Sequence, residues 1–308
     1  MNRAQSLSPL AAALLLSAAL GLNACDPGEP VTLRLGGQEG ESHFINSKFN
    51  SSMVAEGYHT FAHDYDLTTT GAMRWSLTLD RAKSNENLVW HLEVLDRKQE
   101  RKFRKSCGPL CRKELGDPIG HLETPMHQRG VTQILELTPK GELIDIQVEA
   151  KDQTLKSKLE QASESAYREN MALPFLLFPE GPVRPGATWD GGTVKLPLDI
   201  MGVITFTRQM KLANITGEGS ERTARIEYRT AKFSHAPAKN PEVEFIVTSA
   251  EIRGHTLFSL PKKRMVAAIV NMNVVWQIRP PGKSSNEMRI KGEWNIAHTT
   301  EEAGRGGS

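Results

Sequence analysis

Alternation of apolar and polar residues with a period of two runs through most of this chain and favours β-sheet architectures. In residues 266–278 every even position is apolar, whereas Asn271, Asn273 and Gln277 stand at odd positions. Successive side chains of a strand point to opposite faces, so the segment predicts a long strand with one buried face. After a polar break at 279–284 the pattern resumes at 288–296, which predicts a hairpin.

Shorter alternating runs predict further strands. They cover 61–67, 73–79, 90–94, 134–137, 143–148, 204–212 and 224–228. Turn residues such as Pro139-Lys140-Gly141 separate them, so neighbouring strands should pair as antiparallel hairpins. Strands with one apolar and one polar face suit a sheet covered on one side or a partly closed barrel.

One segment departs from this period. In residues 151–171, Leu155, Leu159, Ala162 and Ala166 recur at helical spacing among charged and polar residues, which predicts an amphipathic helix. We therefore expect a mainly β fold with one substantial helix, an α+β class. Its antiparallel meander sheets should form two lobes or a curved, partly closed barrel.

The N-terminal region has the layout of an export signal. Arg3 precedes an apolar stretch, 10–22, that is too short to span a bilayer, and Leu22-Asn23-Ala24-Cys25 closes it. These last four residues resemble the lipobox of bacterial lipoproteins. The resemblance implies removal of residues 1–24 and attachment of acyl chains such as palmitate to Cys25, which anchors the protein to a membrane of the bacterial cell envelope. The anchored protein would face the periplasm or the outer surface.

The remaining organisation follows from these elements. We expect the following segments after the signal peptide: a lipidated start and linker 25–30, an N-terminal β lobe 31–172, a Pro/Gly-rich connector 173–190, a C-terminal β lobe 191–300 and a disordered tail 301–308. The order of strands, helix and a connector ending in Gly186-Ala187-Thr188-Trp189 resembles uncharacterised β-rich envelope lipoproteins of bacteria. That resemblance brings no known activity.

The sequence has three cysteines, and if Cys25 carries lipid the other two can pair with each other. Cys107 and Cys111 remain as a pair in an oxidising compartment, and the Gly-Pro sequence between them favours a turn, so we predict a disulfide. A zinc site built from the same cysteines with His121 and His127 is the alternative. We predict no metal site and no cofactor.

Positive charge is concentrated around the cysteine pair. The basic residues stand in a predicted loop, 97–130, and are Arg97, Lys98, Arg101, Lys102, Arg104, Lys105, Arg112 and Lys113. Each basic residue near an anionic membrane contributes about 1 kcal/mol of binding free energy, so the loop could dock on anionic lipid or an envelope polymer. A solvated loop without a partner is the alternative. The balance of 38 basic and 36 acidic residues gives no indication of nucleic-acid binding.

No catalytic motif stands in the sequence: the nucleophile elbow, the His-Glu-x-x-His zinc motif and the phosphate loop are all missing. We therefore predict a protein that is not an enzyme. The leading hypothesis is a membrane-anchored binding or structural module of the envelope with a protein, glycan or lipid partner.

A carrier or chaperone for lipids or other hydrophobic ligands is the second hypothesis, and a hydrolase is the third. The carrier would use adaptable methionines of neighbouring strands, although these could equally be ordinary core: Met201, Met210, Met272 and Met288. An open apolar cavity of several hundred Å³ would favour the carrier. A cavity filled by tryptophans and by the apolar stripe of the predicted helix would favour the binding module, and the candidate tryptophans are Trp75, Trp189 and Trp276.

Overall fold

The computed structural model describes residues 28–57, 65–81, 87–105, 131–150, 176–197, 202–237, 244–279 and 287–303. Within these ranges the chain forms eleven strands and a single turn of 3-10 helix, Gly219–Glu221. The strands are β1 (Ser42–Gly57), β2 (Tyr65–Arg81), β3 (Leu88–Lys105), β4 (Val131–Leu137), β5 (Leu143–Ala150), β6 (Thr188–Pro197), β7 (Val203–Thr216), β8 (Thr223–Ala236), β9 (Glu244–Ser259), β10 (Arg264–Arg279) and β11 (Met288–Glu302).

All of these strands belong to one antiparallel sheet with the order β5-β4-β3-β2-β1-β11-β10-β9-β8-β7-β6. Strands that are consecutive in sequence are neighbours within each half, so β1–β5 and β6–β11 form two meanders. The meanders meet at β1 and β11, which pair from His43↔Glu302 to Gly57↔Met288. The edge strands β5 and β6 do not pair with each other in the described part of the chain, so the sheet is open there.

The predicted α+β class, with two lobes or a partly closed barrel, is wrong. Continuous pairing through β1 and β11 places the strands of both predicted lobes in one sheet, and the described ranges contain no α-helix. The reason is that local periodicity identifies strands but does not determine which distant edges pair. The predicted helix at 151–171 lies outside the described residues.

Several local predictions are confirmed. The β10–β11, β4–β5 and β7–β8 hairpins form as expected. In β10 the even positions Val270, Val274 and Trp276 are buried, whereas Ile269 is exposed. Two boundaries differ: the described part of 61–67 and the run 73–79 belong to the single strand β2, and β11 includes the first two residues of the predicted tail.

The inward face of the sheet is strongly concave at one end. Leu35 N donates to Pro139 O in the β4–β5 turn at 2.7 Å, and the next amide, Gly36 N, donates to Lys263 O in the β9–β10 turn at 3.0 Å. In a flat sheet, β4 and β10 would be about 24 Å apart, because strands are spaced by about 4.8 Å. Two consecutive residues cannot bridge that distance, so the sheet must bend until both turns converge.

Two irregular segments, 31–36 and 176–187, cover this concave end. Val31 and Val183 exchange two backbone hydrogen bonds, at 2.8 and 2.9 Å, and Phe178 packs edge-on against Phe258 with ring centroids 4.9 Å apart. The covering segments add apolar side chains to a large core cluster formed mainly by β6–β11. A smaller cluster belongs to β1–β4, and Leu35 packs against both clusters.

Candidate functional site

An apolar cavity of about 50 Å³ lies at the junction of the two core clusters. It is bounded by β1–β3 on one side, by β9–β11 on the other and by the covering segment that contains Phe178. Its lining comprises Leu35, His43, Ile45, Trp75, Leu77, Trp90, Leu92, Leu176, Phe178, Phe258, Arg264, Met265, His298 and Thr300.

The polar atoms of this lining are unusual because many of them are buried without a hydrogen-bond partner among the described residues. Five such atoms belong to lining residues: His43 Nδ1, Trp75 Nε1, Trp90 Nε1, Arg264 Nε and Thr300 Oγ1. Folded proteins satisfy nearly all buried polar groups, so each exception requires an explanation. Their concentration around one cavity identifies it as the candidate site.

Strand β1 contributes the polar side of the site. Its inward positions His43, Ile45 and Ser47 are all buried, and Ser47 stands opposite His298 of β11. The Ser47 hydroxyl and His298 Nδ1 are hydrogen-bonded at 2.7 Å. The pairing of β1 with β11 therefore unites residues that are more than two hundred positions apart in sequence.

Each of the two histidines packs against a tryptophan ring. The His43 ring meets the Trp90 ring edge-on at 5.7 Å, and the His298 ring lies tilted against the Trp75 ring at 6.4 Å. Burial disfavours the charged imidazolium and lowers the pKa of His43 and of His298 to about 4. Both imidazoles are therefore neutral at pH 7.

Arg264 is the cation among the described lining residues, and both of its Nη atoms are already paired. Its side chain is 6% exposed, its Nη1 contacts Glu41, and its Nη2 lies 3.3 Å from Glu302. Burial lowers the pKa of Arg264, and the nearby Glu302 carboxylate opposes that shift. One guanidinium thus faces two carboxylates, and little positive charge remains for a ligand.

The first part of the predicted basic loop belongs to a strand. Arg97, Lys98, Arg101, Lys102, Arg104 and Lys105 belong to β3, so the loop prediction is wrong for 97–105. This stretch pairs with β2, whose residues from Thr68 to Met73 carry no charge, and β4 pairs only with 88–93. Within the described ranges it therefore has one neighbouring strand, and basic residues on such an edge also discourage edge-to-edge pairing.

The remaining residues singled out from the sequence lie outside the described ranges, in the core or at the cavity. Those outside the described residues are Cys25, Cys107, Cys111, Arg112, Lys113, His121, His127 and Met201. Met210 and Met288 are almost fully buried in the large cluster, and Met272 packs against it, so these three are core and do not line the cavity. Trp75 lines the cavity, whereas Trp276 belongs to the large cluster and Trp189 packs against that cluster.

The described residues lack two further features. None of the described segments forms a helix with the length and apolar character that a bilayer crossing requires. No group of three or more His, Cys, Asp or Glu side chains in these ranges is arranged to hold a metal ion.

Most of the polar residues of this site are not among the residues predicted from the sequence. His43 and Ser47 lie on a strand that the sequence pattern did not indicate, and His298 and Thr300 stand at the end of β11, beyond the apolar run. A signal was present, because His43, Ile45, Ser47 and Phe49 continue one parity with polar members included. Apolar periodicity alone does not register such a strand.

No protein-family model matches the sequence, and comparison with curated proteins gives no match either. Among solved structures, the chain is similar to a lipovitellin chain described for lipid–protein interactions, with a TM-score of 0.44 and 8% identity. The match covers 89% of this chain but only 26% of the lipovitellin chain.

Two outer-membrane or hydrocarbon channels are also similar to the chain. An outer membrane channel from Pseudomonas putida F1 has a TM-score of 0.18 and 8% identity, over 89% of this chain and 99% of that chain. The CymD monoaromatic hydrocarbon channel has a TM-score of 0.14 and 8% identity, over 86% of this chain and 89% of that chain. Scores at this level assign neither a fold family nor a function.

Proposed function

We propose that the protein is a lipid-anchored, non-catalytic binding module of the bacterial cell envelope, and that it binds its partner at the cavity lined by His43, Trp75 and Trp90. The observation that carries the proposal is that five polar atoms of residues lining one apolar cavity are buried without a partner among the described residues. A cavity that served only packing would gain nothing from buried donors, because each unmade hydrogen bond costs about 1–3 kcal/mol. A ligand that accepts from these donors recovers that cost.

The size of the cavity favours a binding module over a carrier. A ligand pocket that encloses a drug-sized molecule measures roughly 300–1,000 Å³, whereas this cavity measures about 50 Å³. That volume suits a small group at the end of a ligand. A carrier would have to enclose most of an acyl chain, and the cavity is too small for that.

The Ser47–His298 pair resembles part of a hydrolase site but lacks the features of one. The hydroxyl lies 2.7 Å from the imidazole, yet the ring that flanks His298 is Trp75, which is no base or acid. A catalytic serine and histidine need an orienting group and access to substrate. Ser47 is 5% exposed and His298 is 8% exposed, so the pair supports a cross-strand structural role.

The start of the described chain is fixed close to the predicted lipid. A methyl group on Gly28 would lie 3.7 Å from the Pro185 ring, and Val31 pairs with Val183. Gly28 stands three positions after Cys25, and an extended chain covers about 3.5 Å per residue, so Gly28 lies within about 10 Å of Cys25. A lipid on Cys25 would therefore hold the Pro185 turn within roughly 15 Å of the membrane.

A variant that fills the cavity tests the binding function. Leu92→Phe places a larger side chain in the lining, and Ile144→Phe adds the same ring at a position that is 48% exposed. The native mature protein and both variants are purified from membranes, and co-purifying small molecules are identified by mass spectrometry. We expect a bound molecule that Leu92→Phe loses and Ile144→Phe retains.

Two results would contradict the proposed binding site. A ligand retained by folded Leu92→Phe, or no ligand in any of the three proteins, contradicts binding at this cavity. Circular dichroism shows whether each variant is folded. If Leu92→Phe does not fold, Met265→Phe replaces it, because Met265 lines the cavity and is only partly buried.

The anchor is tested separately. Cys25→Ala should release the protein from membranes into the soluble fraction, because a removed thiol cannot carry an acyl chain. Intact-mass analysis of the wild-type protein should show the added mass of the acyl chains. Unchanged membrane retention of Cys25→Ala would show that lipidation is not the anchor.

A further inference from the structure

The unpartnered polar atoms of the lining residues restrict the chemistry of the group that can enter the cavity. An indole nitrogen carries a hydrogen and has no acceptor capacity, so it can only donate. Trp75 Nε1 and Trp90 Nε1 are both buried without a partner among the described residues. A complementary group must therefore bring an acceptor.

The remaining polar atoms are compatible with the same group. Thr300 Oγ1 can donate, and His43 Nδ1 donates in one of its two neutral tautomers. Trp90 is 3% exposed and His43 is 2% exposed, so water of the bulk solvent does not reach these atoms. With Arg264 Nε, up to five donors thus belong to side chains that line one small cavity.

The charge of the site excludes an anion. Arg264 is the cation of the described lining, and its Nη1 and Nη2 are paired with Glu41 and Glu302. A carboxylate that entered would meet neutral rings and a guanidinium whose charge is already matched. Burial of a charge without its own counter-charge is far more costly than burial of a neutral polar group.

We infer that the cavity binds an uncharged oxygen acceptor, such as the carbonyl of an ester or an amide, at the end of an apolar ligand, and that Trp75 and Trp90 donate to it. This inference rests on the proposed binding function and adds the chemical class of the group that is bound. The apolar remainder of the ligand packs against the aliphatic lining, for example Ile45 and Leu77.

Three probes with equal numbers of heavy atoms test the inference: methyl pentanoate, n-octane and hexanoate. Their affinities for the full-length mature protein are measured by equilibrium partition and gas chromatography at pH 7.5. Because n-octane leaves water far more readily than the ester, each affinity is first divided by the water-to-hexadecane partition coefficient of the probe. One net hydrogen bond is worth about a fivefold change in affinity, so this normalised affinity should be about fivefold to 25-fold higher for methyl pentanoate than for n-octane. Hexanoate should bind more weakly than the ester.

Tryptophan-to-phenylalanine variants then locate the donors. Trp75→Phe and Trp90→Phe keep an aromatic ring but remove the N–H group, so each should reduce the preference for ester over alkane by about fivefold. Trp276→Phe is the matched control, because Trp276 Nε1 is also buried and unpartnered among the described residues but does not line the cavity. Its ester preference should equal that of the wild type.

The outcomes separate the two proposals. If all three probes fail to bind, the binding function itself is wrong. If the normalised affinities of the ester and the alkane are equal, or hexanoate binds best, the cavity is a binding site but the inferred acceptor is wrong. An ester preference that is unchanged in both Trp75→Phe and Trp90→Phe refutes the role of the indoles as donors. If one of these variants does not fold, the affinities of the three probes for the wild-type protein alone test the inferred acceptor.

Discussion

Acid should destabilise this protein through the two buried histidines of the cavity. Burial lowers the pKa of His43 and of His298 to about 4, against an ordinary value of 6.5. Between these values the unfolded chain binds protons that the folded chain does not bind. The free energy of unfolding therefore falls as the pH drops from 6.5 towards 4, and the contribution of both groups is fully present only above 6.5.

The magnitude follows from the pKa difference. At 1.36 kcal/mol per pKa unit, each histidine lowers the free energy of unfolding by about 1.4 kcal/mol at pH 5.5 and about 2.5 kcal/mol at pH 4.5. Two histidines together reach about 5 kcal/mol, which is comparable to the total stability of many domains at about 5–15 kcal/mol.

Urea unfolding at pH 7.5, 5.5 and 4.5, followed by circular dichroism, measures this effect. Between pH 7.5 and 5.5 the double variant His43→Gln/His298→Gln should lose about 3 kcal/mol less stability than the wild type. His91→Gln removes a histidine that does not line the cavity and should keep the wild-type pH dependence. Parallel pH profiles for the wild type and the double variant would refute the reasoning, because the histidines would then titrate alike in the folded and unfolded chains.

Three further predictions concern other parts of the molecule. Gly141 in the β4–β5 turn has φ +90°, and a Cβ atom there would lie 2.0 Å from Leu176 O, so Gly141→Ala should lower the free energy of unfolding by at least about 1–2 kcal/mol in urea melts; an unchanged midpoint would contradict this close approach. Charge reversal of the four basic residues in 101–105 should weaken binding to anionic vesicles in co-sedimentation, and equal binding would leave the basic stretch without a membrane role. Thiol labelling of the denatured, non-reduced protein should find Cys107 and Cys111 blocked, whereas free thiols there would refute the disulfide.

The strands that could be predicted from the sequence are those whose inward face is apolar throughout. Strand β10 is the clearest example, since Val270, Val274 and Trp276 fill its inward positions. Strand β1 could not be recognised in this way. Its inward face mixes Ile45 with the buried polar residues His43 and Ser47, so apolar period-two alternation does not mark it.

The overall architecture could not be predicted because it depends on one pairing between distant strands. Hairpins follow from short turns, so the two meanders were accessible from local sequence. The contact of β1 with β11 joins the beginning and the end of the described sheet, and no turn specifies it. Two separate lobes and one continuous sheet have the same local patterns, so only the structure distinguishes them.

The unrecognised strand and the candidate site have a common physical cause. Polar side chains at inward positions weaken a core unless their hydrogen bonds are made. Ser47 and His298 satisfy each other across the junction of the meanders, whereas His43 and the two cavity tryptophans have unpartnered nitrogen atoms. Trp276 shows that one orphaned indole is tolerated in a packed core, so a lone unpartnered donor is no sign of binding. Several unpartnered polar atoms occur together in residues that line one cavity, and this combination calls for a complementary group.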